Sequence, residues 1–186
     1  MVTTSTVQGS ASFRLACRKV ITDLKEQGFW SRRLDTVLVR QKLFGFAYGL
    51  QYYQGCGDIV IPKLSVFKWI SSLRGEVISL GDILRHEFGH ALVDNHPDIV
   101  HSSKFESAFG SEYASTEYFS YDKEKHVSTY AAHNMGEDFA ETFVYYVKYK
   151  GELPDVFNTS IIKKKWEFIG GIPFLMEKKD EFKYSS

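Results

Sequence analysis

The sequence predicts an α+β fold in which a small sheet packs on one helix and a second helix carries further functional side chains. β-branched and aromatic stretches are concentrated between residues 36 and 61, and apolar residues recur at helical spacing before and after them. With 186 residues, of which 44% are hydrophobic, the chain is long enough to bury a core. We therefore expect one domain over residues 13–175, between a flexible leader (1–12) and a charged tail (176–186).

The first elements are predicted from spacing and stop signals. Apolar residues recur at helical intervals over residues 13–24, and Gly28 follows as a stop. The β-branched run at residues 36–39 and the aromatic, glycine-interrupted run at residues 44–53 indicate short strands or a bulged hairpin.

The clearest strand covers residues 58–61, where Ile59, Val60 and Ile61 follow an aspartate. Pro62 is expected to close it, and a proline there fits a strand end or a sheet edge. An exposed edge can bind an extended peptide by main-chain hydrogen bonds. We therefore expect these three residues to bind substrate.

The remainder of the chain is predicted to be mostly helical. Helices are expected at residues 66–73, 80–94, 136–149 and 161–169, and residues 113–125 lack a clear period and indicate a loop. The charged run Lys163, Lys164 and Lys165 is expected to be a solvated face.

The segment from His86 to His90 has the pattern H-E-x-x-H inside the helix predicted at residues 80–94. Two histidines four residues apart lie one turn apart on the same face, so both can bind one tetrahedral Zn²⁺ ion. Glu87 lies beside them and can accept a proton from metal-bound water that attacks a carbonyl. The pattern predicts His86 and His90 as zinc ligands and Glu87 as the general base.

One candidate for the third ligand is a glutamate of the next long helix. Glu137 and Glu141 share one face of the helix predicted at residues 136–149. Glu137 would bind the metal, and Glu141 would orient a ligand histidine. This gives a site of two histidines and one glutamate with an open fourth position.

The other candidate is His96, six residues beyond His90, as in the H-E-x-x-H-x-x-G-x-x-H pattern of metzincins. Met135 would then be the methionine of their later turn. That pattern needs a glycine where this chain has Val93, and a β-branched residue makes the sharp exit from the helix costly. The sequence therefore favours Glu137 over His96.

Four runs of the sequence are distinctive when taken together: Phe46-Ala47-Tyr48-Gly49-Leu50, Asp58-Ile59-Val60-Ile61-Pro62, His86-Glu87-Phe88-Gly89-His90-Ala91-Leu92 and Glu137-Asp138-Phe139-Ala140-Glu141-Thr142-Phe143. They resemble a bacterial family of zinc-binding metallopeptidases, and the likeness extends over residues 44–168. The resemblance implies a zincin-like peptidase fold.

The active-site runs are also similar, more distantly, to the catalytic domain of anthrax lethal factor, a gluzincin-type peptidase. In that domain a tyrosine seven residues ahead of the ligand glutamate assists catalysis, and Tyr130 precedes Glu137 by the same interval. The resemblance implies that Tyr130 donates a hydrogen bond to the oxyanion. His126 and His133 lie near this tyrosine in the sequence and are further candidates without a motif.

Charge and composition limit the partners. The 23 Lys+Arg residues balance the 23 Asp+Glu residues, which disfavours nucleic acid as a partner. Neither a signal peptide nor an apolar stretch long enough for a membrane span is evident, so a cytoplasmic protein is expected. Cys17 and Cys56 are expected to be reduced, buried thiols.

The function favoured by these observations is hydrolysis of peptide bonds by zinc-activated water, with a protein or peptide as the substrate. An endopeptidase is favoured over an exopeptidase. Two alternatives stay open: an effector or toxin protease of narrow specificity with the same chemistry, exported by a non-classical route, and a non-catalytic binding domain stabilised by zinc. The sequence predicts no oligomeric state.

Overall fold

The computed structural model describes residues 7–45, 49–53, 56–65, 79–110 and 120–183. The fold is α+β, as predicted, and the described helices contain more residues than the described strands. The helix expected at residues 66–73 and most of the loop expected at residues 113–125 lie outside the described residues. Within the described part of the chain, no helix combines the length and the apolar character needed to cross a membrane.

Strands and helices are named here in chain order. The strands are β1 (Val7–Gln8), β2 (Leu38–Gly45), β3 (Gly49–Tyr53) and β4 (Cys56–Ser65). The helices are α1 (Ala11–Glu26), α2 (Leu80–Asn95), α3 (Pro97–Val100), α4 (Ser103–Phe109), α5 (Met135–Lys148) and α6 (Ser160–Lys183). Short 3₁₀ turns lie at Arg32–Thr36, Tyr130–Ala132 and Asp155–Phe157.

The chain divides into two compact units. Unit 1 consists of residues 1–25 and 30–95 and contains the sheet, most of α1, and α2. Unit 2 consists of residues 26–29 and 96–186 and contains α3 to α6. The expectation of one domain over residues 13–175 stays a prediction.

The sheet of unit 1 has four described strands in the order β1-β2-β4-β3. β1, β2 and β4 run parallel to one another, while β3 runs antiparallel to β4. Helix α2, which carries the His86 to His90 motif, contacts β3 and β4. The predicted small sheet beside the motif helix is thus present in this unit.

Helix α1 exceeds the predicted residues 13–24 by two residues at each end. Its first turn is capped by Ser10, whose hydroxyl accepts the Phe13 N–H at 3.2 Å. Its inward face is apolar and includes Cys17, which is fully buried. Burial raises the pKa of the Cys17 thiol to about 12, so it stays protonated as expected of a core cysteine.

Residues 58–61 form a strand as predicted, but an interior one. β4 pairs with β2 on one side and with β3 on the other, and Asp58, Ile59 and Val60 have partners on both sides. The prediction that substrate adds along Ile59, Val60 and Ile61 is therefore wrong. The backbone groups that an added strand would need are already used by the neighbouring strands.

One other expectation about the sheet is corrected, and one is resolved between its alternatives. Pro62 does not end the strand, because β4 continues to Ser65 beside β2. Successive N–H groups of a strand point to alternate sides, so one proline removes at most one bond of the sheet. Of the two alternatives expected for residues 44–53, a short strand is present, because Gly49–Tyr53 forms β3 and pairs antiparallel with β4.

Unit 2 has a core of aromatic side chains. α5 matches the helix predicted at residues 136–149 within one residue, and its Phe139 and Phe143 are fully buried. The rings of Phe105 and Phe109 on α4 stack with centroids 5.0 Å apart. Phe168 of α6 packs edge-on against both, at 5.6 and 5.9 Å, so these three helices share one core.

The last helix is longer than predicted. α6 extends over Ser160–Lys183 rather than residues 161–169, so most of the expected charged tail is helical. Good helix formers predominate after Met176, and a helix that is already nucleated gains one hydrogen bond for each residue added.

Gly28, the predicted stop after α1, adopts φ +77°. A Cβ placed there would come within 3.0 Å of the Pro173 side chain.

The lysine run at the start of α6 is only in part a solvated face. Lys163 and Lys164 are exposed as predicted, but Lys165 is 3% exposed. Its ammonium group lies 2.5 Å from a carboxylate oxygen of Asp138 on α5. The expectation of a solvated Lys165 is therefore wrong, because a partner distant in sequence neutralises its charge.

Candidate metal centre

Helix α2 brings the two motif histidines together. The Nε2 atoms of His86 and His90 are 3.1 Å apart, and the ring centroids are 4.8 Å apart. Both side chains are half-buried, whereas Glu87 is only 5% exposed. The pair therefore presents two imidazole nitrogens to one point in space, next to a carboxylate that is largely removed from water.

Local sequence explains why a helix forms here and how it is oriented. The Ser79 hydroxyl accepts the Asp82 N–H at 3.0 Å, and Asp82 places a negative charge in the first turn. Leu84 and Phe88 are buried, and the Phe88 ring packs edge-on against Trp30 at 5.5 Å. Burial of this apolar face turns the histidine face of α2 away from the core of unit 1.

The distance between the two nitrogens fits a shared zinc ion. Tetrahedral coordination with Zn–N bonds of about 2.0–2.1 Å separates two ligand nitrogens by about 3.3 Å. The observed separation of 3.1 Å is close to that value. His86 and His90 therefore satisfy the geometric requirement for two ligands of one metal ion.

Arg85 fixes α2 beside the motif. Its guanidinium donates to Asp23 of α1 at 2.7 Å and to Asp82 at 3.3 Å. Arg33 donates to the carbonyl oxygen of Asn95 at 2.5 Å and so holds the other end of the helix. These contacts restrain α2 on both sides of His86 and His90 within unit 1.

Asp94 was not predicted as a site residue, but it lies one turn after His90. Burial raises the pKa of the Asp94 carboxyl, and the charge of His90 lowers it in part. The spacing of four residues on one helix was the available signal, since such residues are neighbours on the surface. Asp94 is therefore a charged neighbour of His90 on one face of α2.

The first turn of α5 carries Glu137 and belongs to unit 2. Asn134 caps this helix, and its side-chain oxygen accepts the Glu137 N–H at 2.9 Å. Glu137 is half-buried and Glu141 follows one turn later. Glu141 accepts a hydrogen bond from the Ser128 hydroxyl at 2.7 Å, so it braces the turn before α5. The role of Glu141 in orienting a ligand histidine and the role of Glu137 as third ligand both stay predictions.

Tyr130 opens a 3₁₀ turn in unit 2 and is 47% exposed, so its ring is accessible. It packs edge-on against the exposed His133 with ring centroids 4.7 Å apart. His126 is buried instead and lines a cavity of unit 2. The catalytic role implied for Tyr130 by resemblance stays a prediction.

His96 lies at the junction of two helices. α2 continues through Val93 to Asn95, and His96 is the N-cap residue of α3 with φ −132°. It is 6% exposed. No sharp exit from the helix occurs at Val93, which is where the metzincin pattern requires its glycine. The preference for Glu137 over His96 as third ligand stays a prediction.

No protein-family model, no curated protein and no solved structure matches this chain. The resemblances noted in the sequence are therefore carried by their motifs alone.

Proposed function

We propose that the chain is a zinc-dependent peptidase with a zincin-like fold, in which His86, His90 and Glu137 bind the metal. The observation that carries the proposal is the 3.1 Å distance between the Nε2 atoms of His86 and His90 within an H-E-x-x-H helix. Each of the three residues offers one ligand atom and is half-buried. Two histidines and one glutamate form a zinc site that leaves a fourth position for water or substrate.

Two features of Glu137 support its part in the proposal. Its Oε2 atom is buried, and a carboxylate oxygen away from water is stabilised by a cation. Its backbone N–H is held by Asn134, which defines the orientation of the first turn of α5. A ligand carboxylate on a capped first turn needs little reorganisation when a metal binds.

Zinc, when bound, supplies a Lewis acid that lowers the pKa of water and polarises a peptide carbonyl. Glu87 takes the proton from the attacking water and delivers it to the leaving amine. Its burial limits competition from bulk water for that proton. The Tyr130 hydroxyl donates a hydrogen bond to the negative charge that develops on the carbonyl oxygen.

A peptide substrate in this proposal adds to β3 rather than to β4. β3 is at one edge of the described sheet, runs antiparallel to its neighbour and contacts α2. An edge strand has unpaired N–H and C=O groups that can hold an extended chain without regard to its side chains. Substrates with single N-methyl amides test this mode, because strand addition predicts loss of cleavage at alternate positions only.

The zinc site is tested on purified protein. We expect one zinc ion per chain by elemental analysis, with a large loss in His86→Ala, His90→Ala and Glu137→Ala. His96→Ala serves as the control and should keep its zinc. Loss of zinc from His96→Ala together with its retention in Glu137→Ala would instead favour the metzincin-like ligand set.

The hydrolytic step is tested with Glu87→Gln, which keeps the shape of the side chain but cannot accept the proton. We expect this variant to bind zinc normally and to cleave nothing. New protein N-termini should accumulate in cells that hold the wild-type chain and be absent with the variant. A zinc-loaded wild type that produces no new N-termini would support the alternative of a non-catalytic, zinc-stabilised domain.

A further inference from the structure

A cavity of about 490 Å³ is lined by residues of unit 2. It is formed by the end of α4, the first turns of α5 and α6, and the turn that precedes the Tyr130–Ala132 segment. Phe109, Met135 and Ile161 provide apolar walls. Its volume is in the range of pockets that hold small molecules, which are typically 300–1,000 Å³.

The polar groups of this cavity are mostly hydrogen-bond donors. His126 is 8% exposed, and its Nδ1 accepts the Asp122 N–H at 3.3 Å, which assigns the proton of the neutral ring to Nε2. The side-chain oxygen of Asn134 is used by the Glu137 N–H, which leaves its NH₂ group as a donor. Among the described residues, the His126 Nε2–H and the Asn134 NH₂ donate to no protein acceptor.

Each of the two lysines that line the cavity has a carboxylate partner. Asp138 and Lys165 both line the cavity, but they neutralise each other at 2.5 Å, and Lys165 also donates to the carbonyl oxygen of Lys125. Lys125 adds an exposed ammonium group at the rim, where its partner Asp122 is 3.4 Å away. The unused donors of His126 and Asn134 and the exposed ammonium group of Lys125 disfavour a metal cation and favour an acceptor with negative charge.

We propose that this cavity binds a small organic carboxylate with an apolar body. The carboxylate accepts hydrogen bonds from His126 and Asn134 and pairs with Lys125, while the apolar body packs against Phe109, Met135 and Ile161. The first turn of α5 adds the positive end of its dipole on the side where the carboxylate binds. Such a group is supplied either by a free acid or by the C-terminal residue of a peptide.

The test is an NMR titration of the full chain with 3-phenylpropanoate and with the tripeptide Ala-Ala-Phe, each beside its carboxamide. We expect saturable shifts at the His126 Nε2–H and at the amides of residues 134–135, and binding of the acids at least tenfold tighter than that of the amides. Tighter binding of the tripeptide assigns the site to peptide C-termini, and tighter binding of 3-phenylpropanoate assigns it to free acids. Amides that bind as tightly as acids, or shifts confined to other residues, overturn the proposal.

Matched variants locate the donors. Lys125→Ala should weaken 3-phenylpropanoate binding about tenfold, equivalent to about 1.4 kcal/mol, whereas Lys123→Ala, an exposed neighbour, should not change it. His126→Asn keeps an acceptor for the Asp122 N–H but has no donor at the position of the His126 Nε2–H, whereas His126→Gln keeps a donor there. We expect His126→Asn to lose binding and His126→Gln to retain it. Dispersed spectra should show that both variants fold. Equal affinity in Lys125→Ala and Lys123→Ala would contradict the site.

Discussion

Each of the two helices that carry the proposed zinc ligands is anchored inside its own unit by an ion pair next to a ligand. In unit 1 the anchor is Arg85, which directly precedes His86 and donates to Asp23 of α1 at 2.7 Å. This pair is partly solvated, with side-chain exposures of 12% and 24%. A second carboxylate, that of Asp82, shares the same guanidinium at 3.3 Å.

In unit 2 the anchor is Asp138, which directly follows Glu137 and accepts from Lys165 of α6 at 2.5 Å. Here the side-chain exposures are only 4% and 6%. Burial raises the pKa of the Asp138 carboxyl to about 6 despite the opposing effect of the lysine, and it lowers the pKa of Lys165. The loss of a partner should therefore cost less at Arg85, where Asp82 and solvent at the partly exposed side compensate, than at Asp138, which is nearly inaccessible to water.

The largest effect is expected when the buried pair is broken. Lys165→Ala leaves the Asp138 carboxyl without its cation in a dry environment, which should lower the free energy of unfolding by about 3–5 kcal/mol. Lys164→Ala, at an exposed position of the same turn, is the control and should change it by no more than about 0.5 kcal/mol. Urea unfolding followed by circular dichroism measures both.

A double replacement separates pairing from packing at this site. Lys165→Met combined with Asp138→Asn removes both charges while keeping similar volumes, so it should recover most of the stability lost in Lys165→Ala. A double variant as unstable as Lys165→Ala would show that the pair itself, rather than an unpaired charge, determines the stability of unit 2.

Local patterns in the sequence were sufficient for the elements that depend on near neighbours. α1, α2 and α5 begin and end within two residues of prediction because Gly28 and the caps Ser10 and Asn134 act over one turn. The convergence of His86 and His90 was also predictable, since a spacing of four residues fixes two side chains on one helix face.

Features that depend on distant partners were not predictable in the same way. Whether β4 is an edge strand is determined by β2 and β3, and its own residues are compatible with either position. Lys165 had one local signal, because it shares the buried face of α6 with Ile162 and Ile169 at spacings of three and four. The presence of a carboxylate opposite that face cannot be read from α6 alone.

A smaller effect is expected at the partly solvated Arg85–Asp23 pair of unit 1. Asp23→Asn removes one of the two carboxylates around Arg85, and water and Asp82 compensate, so the free energy of unfolding should fall by about 0.5–1 kcal/mol. The loss should shrink at high salt, which screens exposed charges. Glu26→Gln, at an exposed acidic position of the same helix, controls for net charge. A loss as large as that of Lys165→Ala would refute the distinction between the two anchors.

The smallest effect concerns His126, which lines the same cavity as the buried pair. Burial lowers the pKa of His126 below 6.5, and the positive charge of Lys165 lowers it further. Below pH 6.5 the unfolded chain therefore binds a proton at this position that the folded chain does not. The contribution of His126 to stability is fully present above pH 6.5 and decreases as the pH falls toward the lowered pKa, whereas His126→Asn lacks this dependence.

An NMR titration of the His126 ring connects this dependence to the comparison of the anchors. In the Lys165→Met, Asp138→Asn variant the lysine charge is absent, so the His126 pKa should rise toward 6.5. It should remain below that value, because burial is the larger cause of the shift. In Asp23→Asn, where only the anchor of unit 1 is changed, the His126 pKa should match that of the wild type. An unchanged His126 pKa in the double variant would mean that the charge of Lys165 does not act on His126. The buried pair would then have no more effect on the His126 pKa than the Arg85–Asp23 pair has.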